Sequence, residues 1–297
     1  MDAVLIDPAL TEDQRRAATY QGRLLLLSPG AASRELIAFA RVLIEEAFAP
    51  RDPQTAHREL PVEEYVRILA VLKPRFIHHP RSKELLREIL SSVGCDLEQT
   101  YFDVPRLRTA APKDYLTAGL AYAFHPHRDT WYSAPQMQLN WWMPVYPFVP
   151  ENAMAFHPRY WSQPLKNSSR IYNYRRWNAE SRFNAAAHVK EDARPQPRAE
   201  EPVDSNPSIC FVPPPGGLIV FSGAQLHSTV PNTTDLTRFS IDFRTVNLAD
   251  VLARRGAPNI DSSCTGTNLG DFLRGRDGEP IAPGVVEPYD TADTQQR

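Results

Sequence analysis

The chain has little cysteine and no long hydrophobic run, and both shortages narrow its possible functions. Cys95, Cys210 and Cys264 are its three cysteines, far apart and without a CxxC pair. This count and spacing argue against a disulfide framework and against a thiolate zinc site. The best apolar run near the N-terminus, Leu24 to Leu27, is too short for a signal peptide or a membrane span. We therefore expect a cytoplasmic protein with no membrane partner.

An excess of charge of one sign is also missing. The 297 residues include 33 Lys and Arg against 35 Asp and Glu, a formal net charge of −2. A dedicated nucleic-acid-binding protein needs a basic surface, so this balance argues against a nucleic-acid partner. Hydrophobic residues make up 42% of the chain, a globular value that excludes a fully disordered protein.

Proline, by contrast, is in excess. The chain has 28 prolines, roughly twice the usual share of about 5%. Proline fits badly inside helices and central strands. This favours a mainly β protein with flanking helices (α+β) and many turns and long loops.

Two hydrophobic periodicities divide the chain. Before residue 97 the pattern predicts a strand over 21–28 and helices from Ser33 to about Phe48, over 61–72, and from Ser82 to Ser92. After residue 97 the period is two, which predicts short strands over the ranges 99–108, 117–126, 136–147, 152–157, 208–213, 217–222 and 237–246. Short strands separated by Gly, Pro and Asn are typical of a sandwich or a barrel.

We predict a single domain over residues 1–297. It comprises a helical N-terminal part (1–97), a barrel core (98–250) with an insert over 158–207, and a loose C-terminal tail over 271–297. The insert ends in a charged, proline-rich segment. Such a segment is either a solvated loop or a lid over a site formed by the sheet.

The first chemical motif is His127-Arg128-Asp129. In a strand, residues i and i+2 point to the same side, so His127 and Asp129 are candidate ligands of one metal ion. Chance supplies roughly 0.5 such triplets in a chain of this composition, and a hydrogen-bonded surface pair is the alternative. The polar face of the following strand either faces water or lines a pocket in a closed barrel; it carries Gln136, Gln138, Asn140 and Trp142.

A second polar cluster lies between residues 216 and 246. A strand leads to His227, a turn follows, and the next strand places four polar residues on one face: Arg238, Ser240, Asp242 and Arg244. Across a short hairpin, His227 and Arg238 can converge on one site. A guanidinium there can bind a carboxylate through two parallel hydrogen bonds. Plain solvation of the arginines is the alternative.

HxD, a distal His and Arg-x-Ser about ten residues later together resemble the Fe(II)/2-oxoglutarate-dependent oxygenase superfamily. Within it, the phytanoyl-CoA dioxygenase-like branch is most similar over residues 117–247. The further matching segments are Trp141-Trp142, Glu151-Asn152-Ala153, Gly216-Gly217 and His227-Ser228-Thr229. The branch often has a PGSH-type turn where this chain reads Phe156-His157-Pro158-Arg159. This departure leaves the substrate class open.

The resemblance implies a double-stranded β-helix, that is, a jelly-roll or cupin-like barrel. It implies catalytic metal ligands at His127, Asp129 and His227, which leave three positions of Fe(II) open to 2-oxoglutarate and O2. The residues expected to bind the cosubstrate are Arg238 and Ser240 at its distal carboxylate, and Thr229, Trp142, Gln138 and Asn140 elsewhere. The implied reaction hydroxylates or otherwise oxidises an unactivated C–H of a small molecule and converts 2-oxoglutarate to succinate and CO2.

The insert indicates where a substrate would bind. Aromatic residues alternate with arginines in it, a pattern that can stack on a planar group and bind an anion such as a carboxylate or phosphate. The candidate substrate-binding residues are Arg128, Trp131, His157, Tyr172, Arg175, Trp177 and Arg244. The alternative is an insert packed on the barrel with its arginines in solvent.

Two other functions fit the same residues. One is a metal-dependent cupin-type enzyme that does not use 2-oxoglutarate, and the other is a non-catalytic small-molecule-binding protein on the same fold. Arg238-Phe239-Ser240 favours the oxygenase over the first of these, since an enzyme without 2-oxoglutarate needs no carboxylate clamp. The oligomeric state is left open.

Overall fold

Two β-sheets form the centre of the chain. The structure is a computed structural model that describes residues 3–121, 125–180, 194 and 196–291. In chain order its strands are β1 (Val4–Ile6), β2 (Leu24–Leu27), β3 (Thr100–Phe102), β4 (Arg106–Ala110), β5 (Leu139–Pro144), β6 (Met154–Phe156), β7 (Ile209–Cys210), β8 (Leu218–Ser222), β9 (His227–Thr229), β10 (Arg238–Asn247) and β11 (Leu273–Arg274).

The larger sheet has eight strands within the described residues. Hydrogen-bonded neighbours follow the order β1-β2-β8-β5-β10-β3-β11, and β4 pairs with β10 beside this path. The smaller sheet has the order β7-β6-β9. An apolar cluster joins the two sheets, with Trp142, Ile219 and Phe221 from the larger sheet and Met154 and Phe156 from the smaller.

Helices cover the opposite face of the larger sheet. In chain order, the helices of the described residues are α1 (Glu12–Tyr20), α2 (Ala31–Phe48), α3 (Val62–His78), α4 (Pro80–Ser92), α5 (Tyr174–Glu180), α6 (Leu248–Ala253) and α7 (Pro283–Thr291). The main core lies between α2, α3, α4 and this face. On β10 it contains Phe239, Ile241 and Phe243, all fully buried. Because strand residues alternate between faces, Arg238 and Ser240 point to the other side, toward the smaller sheet.

The coarse prediction of a β protein with flanking helices is confirmed, and the jelly-roll topology stays a prediction. The helices predicted over 33–48 and 82–92 are α2 and α4, and the helix predicted over 61–72 is α3, which continues to His78. The predicted strand over 117–126 is wrong for 119–121, which form a single 3-10 turn, and 122–124 lie outside the described residues. Sequence analysis missed α1, whose start is marked by reciprocal Thr11 and Gln14 capping hydrogen bonds.

The prediction of a loose tail over 271–297 is wrong for its first part. β11 pairs with β3, and α7 buries Tyr289, whose hydroxyl donates to the carbonyl of Val251. Residues 292–297 lie outside the described part of the chain. None of the helices in the described ranges is long and apolar enough to cross a membrane.

Asp250 ties α1 and α6 to the back of the sheet. Its buried carboxylate accepts hydrogen bonds from Arg16 Nε (2.7 Å), the Tyr20 hydroxyl (2.8 Å) and Arg255 Nε (2.6 Å). Asp250→Ala leaves Arg16 and Tyr20 buried without this acceptor. We expect it to lower the free energy of unfolding by about 3 kcal/mol, measured by chemical denaturation.

Asp277→Ala is the matched control for this prediction. Asp277 also accepts hydrogen bonds from two arginines, Arg274 and Arg276, but these pairs lie at the surface. Surface ion pairs contribute little to stability, so this variant should unfold close to the wild-type midpoint. Equal losses in the two variants would show that Asp250 is not a structural anchor.

Candidate metal centre

Three buried side chains, His127, Asp129 and His227, converge where the chain before β5 meets β9. The two histidines exchange backbone hydrogen bonds of 3.0 Å in each direction, which brings their rings to the same side. Asp129 Oδ1 lies 3.5 Å from His127 Nε2 and 3.8 Å from His227 Nε2. The ligand atoms of all three lie within 4.8 Å of one another. This spacing suits one ion with ligands at about 2.0–2.2 Å.

The backbone fixes which nitrogen of each histidine faces the carboxylate. His127 Nδ1 donates to the carbonyl of His125 (2.8 Å), and His227 Nδ1 donates to that of Gln225 (2.9 Å). Each Nε2 therefore carries a lone pair toward Asp129, as in most metal-binding histidines. Burial and the neighbouring His127 lower the pKa of His227 to about 3. His227 is thus neutral at physiological pH, the form that binds metals.

Asp129 uses its two oxygens differently. Oδ1 faces the two imidazoles, whereas Oδ2 accepts hydrogen bonds from Gln138 Nε2 (3.0 Å), Asn140 Nδ2 (2.9 Å) and Arg244 Nε (3.3 Å). Burial alone would raise the pKa of Asp129, but Arg244 and the two histidines together hold it well below its usual value. The carboxylate is therefore ionised, and one of its oxygens is available to a cation.

The motif does not lie in a regular strand, contrary to the expectation from its i, i+2 spacing. His127 forms a single bridge with His227, and Asp129 begins a 3-10 turn over Asp129–Tyr132. A buried aspartate from a distant segment holds this turn. Asp261 accepts from Arg128 Nε (3.1 Å) and from Trp131 Nε1 (2.7 Å).

Arg128 and Trp131 were predicted to bind substrate, and in the structure both side chains are buried and have partners within the protein. Arg128 is 1% exposed, and it also donates to the carbonyls of Ala224 (2.7 Å) and Tyr160 (2.5 Å). Trp131 is fully buried. Their polar groups are engaged by the protein itself, through hydrogen bonds that hold the turn.

Arg244 was also predicted to bind substrate, and in the structure its guanidinium contacts the carboxylate of Asp129. Gln138 and Asn140, predicted at the cosubstrate, hydrogen-bond to the same oxygen of Asp129. Gln138 Oε1 in turn accepts from Asn268 Nδ2 at 3.0 Å. Sequence analysis missed Asn268 and Asp261 because both lie beyond residue 250, outside any recognised motif.

Gly223 is a further residue that sequence analysis missed. Its N–H donates to the carbonyl of Gln138 (2.9 Å), and its carbonyl accepts from the N–H of Thr130 (3.3 Å). A Cβ at this position would lie 3.3 Å from Gln138 Nε2 and 3.5 Å from Asp129 Cβ. A larger residue would push the Gln138 amide aside by a few tenths of an ångström, so glycine suits this close approach of the turn before His227 to Asp129.

Arg238 is a buried charge without an acidic partner among the described residues. It is 6% exposed, one of its terminal nitrogens donates to the carbonyl of Asn152, and its guanidinium lies 5.5 Å from the centre of the Trp142 ring. Its Nε and the hydroxyl of the buried Ser240 have no hydrogen-bond partner. Burial lowers the pKa of Arg238 to about 10, so it stays charged at neutral pH. A buried, uncompensated cation is costly, which points to an anionic ligand here.

Thr229 and His157 lie on different faces of the smaller sheet. Thr229 follows two residues after His227 on β9 and shares its face. His157 Nε2 is 2.9 Å from the hydroxyl of Ser228, the residue whose side chain points the opposite way. His157 was predicted to bind substrate, but this contact turns its ring away from the face that carries His227.

Aromatic side chains lead from the triad into the insert. Tyr132 contacts the His127 ring edge-on with centroids 5.4 Å apart, Tyr172 follows at 5.3 Å from Tyr132, and Trp177 at 5.7 Å from Tyr172. Tyr172 and Trp177, both predicted substrate residues, are thus connected to the triad through Tyr132. Residues 181–193 and 195 of the insert lie outside the described part.

The insert arginines are engaged in ion pairs. Four of them pair with carboxylates: Arg159 with Asp204, Arg170 with Glu200, Arg175 with Asp290 and Arg176 with Glu180. Arg175, predicted to bind substrate, has a largely exposed side chain. These pairs favour an insert packed on the barrel with its arginines at the surface over an anion-binding insert.

Comparisons with known proteins give structural likenesses only. No family model matches the chain, and no curated protein matches it. Several of the solved structures that it resembles are described as non-heme enzymes. EvdO2 from Micromonospora carbonacea var. aurantiaca, complexed with 2-oxoglutarate, shares 17% identity with a TM-score of 0.46 and covers 81% of this chain and 93% of its own.

Two further likenesses are of the same kind. The non-heme alpha-ketoglutarate-dependent carbocyclase SnoK from nogalamycin biosynthesis shares 12% identity at a TM-score of 0.39, over 93% of this chain and 95% of its own. The nickel complex of the non-heme monooxygenase ThoJ shares 13% identity at a TM-score of 0.38, over 91% of this chain and 85% of its own. At this level of similarity they do not bear on the substrate or reaction of this chain.

Removal of one triad imidazole should abolish tight metal binding. We expect His227→Ala to weaken Mn(II) binding to the metal-free protein by more than about a hundredfold, because even outer groups around a metal site change affinity 10–100-fold. Titration calorimetry measures this loss directly. His157→Ala is the matched control, a buried histidine outside the triad whose Nε2 contacts the Ser228 hydroxyl, and it should bind as wild type does.

Proposed function

We propose that this chain is an Fe(II)- and 2-oxoglutarate-dependent dioxygenase that oxidises an unactivated C–H of a small molecule. The observation that carries the proposal is a buried, uncompensated Arg238 on the same face of β10 as Arg244, which contacts Asp129 of the His127, Asp129 and His227 triad. On this proposal the two facing sheets are the halves of a double-stranded β-helix. The N-terminal helices and the insert belong to the same single domain over residues 1–297.

The donor set of the triad fits Fe(II). Two neutral imidazoles and one carboxylate form the 2-His-1-carboxylate face of non-heme iron oxygenases, which leaves three of six positions open. Iron bound there supplies the oxidising power when O2 and 2-oxoglutarate react, one oxygen atom going to succinate formed with loss of CO2 and the other to the substrate. The protein's part is to aim both Nε2 atoms through the Nδ1 hydrogen bonds and to keep Asp129 ionised.

Arg238 and Ser240 are the proposed binding site for the distal carboxylate of 2-oxoglutarate. Both lie on the β10 face that points toward the smaller sheet, and Arg238 Nε and Ser240 Oγ are unpartnered there. A guanidinium and a hydroxyl together offer the donors that a carboxylate accepts. The apolar residues between the sheets, Trp142, Ile219 and Phe221, limit access of water and so strengthen this ion pair.

The remaining predicted cosubstrate residues take different roles in this proposal. Thr229 shares the His227 face of β9, and Trp142 lies under the Arg238 guanidinium, so both adjoin the space between the clamp and the triad. Gln138 and Asn140 act through Asp129, to which both donate. Tyr132, Tyr172 and Trp177 form an aromatic wall on the His127 side, where we place the small-molecule substrate.

The proposal predicts that Arg238 determines affinity for 2-oxoglutarate. Removing one partner of a buried charge pair costs about 2–5 kcal/mol, so Arg238→Gln should raise the Kd roughly 30-fold or more. The measurement is titration of 2-oxoglutarate into the Fe(II)-loaded protein without oxygen, followed by the visible charge-transfer band. Arg238→Lys keeps the charge but loses the planar fork and should lie between.

Arg175→Gln is the matched control, because Arg175 is exposed and already paired with Asp290. Its 2-oxoglutarate affinity should equal that of the wild type. A wild-type protein that binds metal at the triad but gives no charge-transfer band, and forms no succinate with oxygen present, contradicts the proposal. That result favours a cupin-type enzyme without 2-oxoglutarate or a non-catalytic binding protein.

A further inference from the structure

The polar groups around Asp129 are more numerous than ionisation of one carboxylate requires. Oδ2 accepts from three donors at 2.9 to 3.3 Å, on Gln138, Asn140 and Arg244. A carboxylate oxygen has two lone pairs, so three donors saturate it. Oδ1 faces only the two imidazoles, at 3.5 and 3.8 Å. The carboxylate is therefore polarised into one occupied and one available oxygen.

The three donors are themselves held in place. Arg244 lies directly opposite Asn140 in the register of β10 and β5, which puts both side chains on the same face. The buried Asp103 accepts from the backbone N–H of Arg244 (2.7 Å) and from its guanidinium (3.2 Å). Gln138 is fixed between Asn140 and Asn268, since it donates to the first at 2.9 Å and accepts from the second at 3.0 Å.

We propose that Arg244, Asn140 and Gln138 are positioning residues that restrict Asp129 to a single metal bond through Oδ1. This inference rests on the metal site of the proposed function. A second bond through Oδ2 would require that oxygen to give up its hydrogen bonds and leave a guanidinium and two buried amides without their acceptor.

The restriction matters because it sets how many positions of the metal remain open. With Asp129 bound through one oxygen, a six-coordinate ion keeps about three positions for other ligands, and with two oxygens it keeps about two. 2-Oxoglutarate would occupy two of them. A single Asp129 bond therefore leaves a position for O2, and a double bond leaves none.

The test counts water molecules on Mn(II) bound to the protein in the absence of 2-oxoglutarate. Water-proton relaxation of the Mn(II) protein reports the number of exchangeable metal-bound waters. We expect about three in the wild type. In the double variant Arg244→Leu and Asn140→Leu, Gln138 alone remains on Oδ2. The count should then fall by about one as Oδ2 joins the metal, and the single variants should lie between.

Two further variants separate this role from general damage. Arg108→Leu removes another arginine from the same sheet face; Arg108 pairs with Asp242 on β10, and it should keep the wild-type water count. Arg244→Lys retains a charged donor and should keep most of the wild-type number of Mn(II)-bound waters. If the double variant does not fold, judged by its thermal transition, the folded Arg244→Gln variant replaces it. We expect a smaller fall in its number of Mn(II)-bound waters.

The outcomes separate this inference from the proposed function. An unchanged water count in the folded double variant, or in Arg244→Gln if the double variant is unfolded, overturns the positioning role and leaves the dioxygenase proposal intact. If the His227→Ala variant binds Mn(II) as tightly as the wild type, both the positioning role and the dioxygenase proposal are overturned, because the ion then binds elsewhere. A fall in count restricted to the Arg244 and Asn140 variants supports the inference.

Discussion

The reciprocal backbone hydrogen bonds between His127 and His227 are the contact on which the candidate site depends. They join a segment before β5 to β9 of the smaller sheet, 100 positions later in the chain, and place the two imidazoles side by side. Each ring is then aimed by its own backbone through a carbonyl two residues earlier. Asp129 completes the group only because the turn after His127 is held from outside, by Asp261. The geometry of the candidate metal site is thus set by backbone pairing first and by side chains second.

The larger sheet supplies the electrostatics that this arrangement needs. One strand, β10, presents apolar residues to the helices and charged residues to the smaller sheet. Its two arginines on that face differ in their partners. Arg244 is paired with Asp129 and Asp103, whereas Arg238 has no carboxylate partner among the described residues. Arg244 of β10 thus stabilises the Asp129 carboxylate. Arg238 of the same strand keeps a buried Nε without a hydrogen-bond partner.

Sequence periodicity predicted the parts of this arrangement that depend on local pattern. The alternation along β10 and the order of His127, Asp129, His227 and Arg238 could be read directly, because a strand's period of two fixes which residues share a face. Side-chain partners could not. Arg128 was predicted to contact a ligand because its partner Asp261 lies 133 positions away in the chain. The tail looked loose because the burial of Tyr289 depends on a tertiary contact that its polar neighbours conceal.

What sequence analysis missed at Arg128 and in the C-terminal tail has one physical cause, which also applies to the candidate site. A buried polar residue must find partners, and in this chain the partners of the HxD turn come from residues beyond the barrel motif, Asp261 and Asn268. A motif therefore identifies the groups that can touch a metal, but not the groups that fix their orientation and charge. The segment after β10 is consequently part of the site, although no pattern within it indicates any chemistry. It supplies hydrogen-bond partners to Arg128, Trp131 and Gln138. Arg238 Nε, in contrast, is left without a partner in the structure.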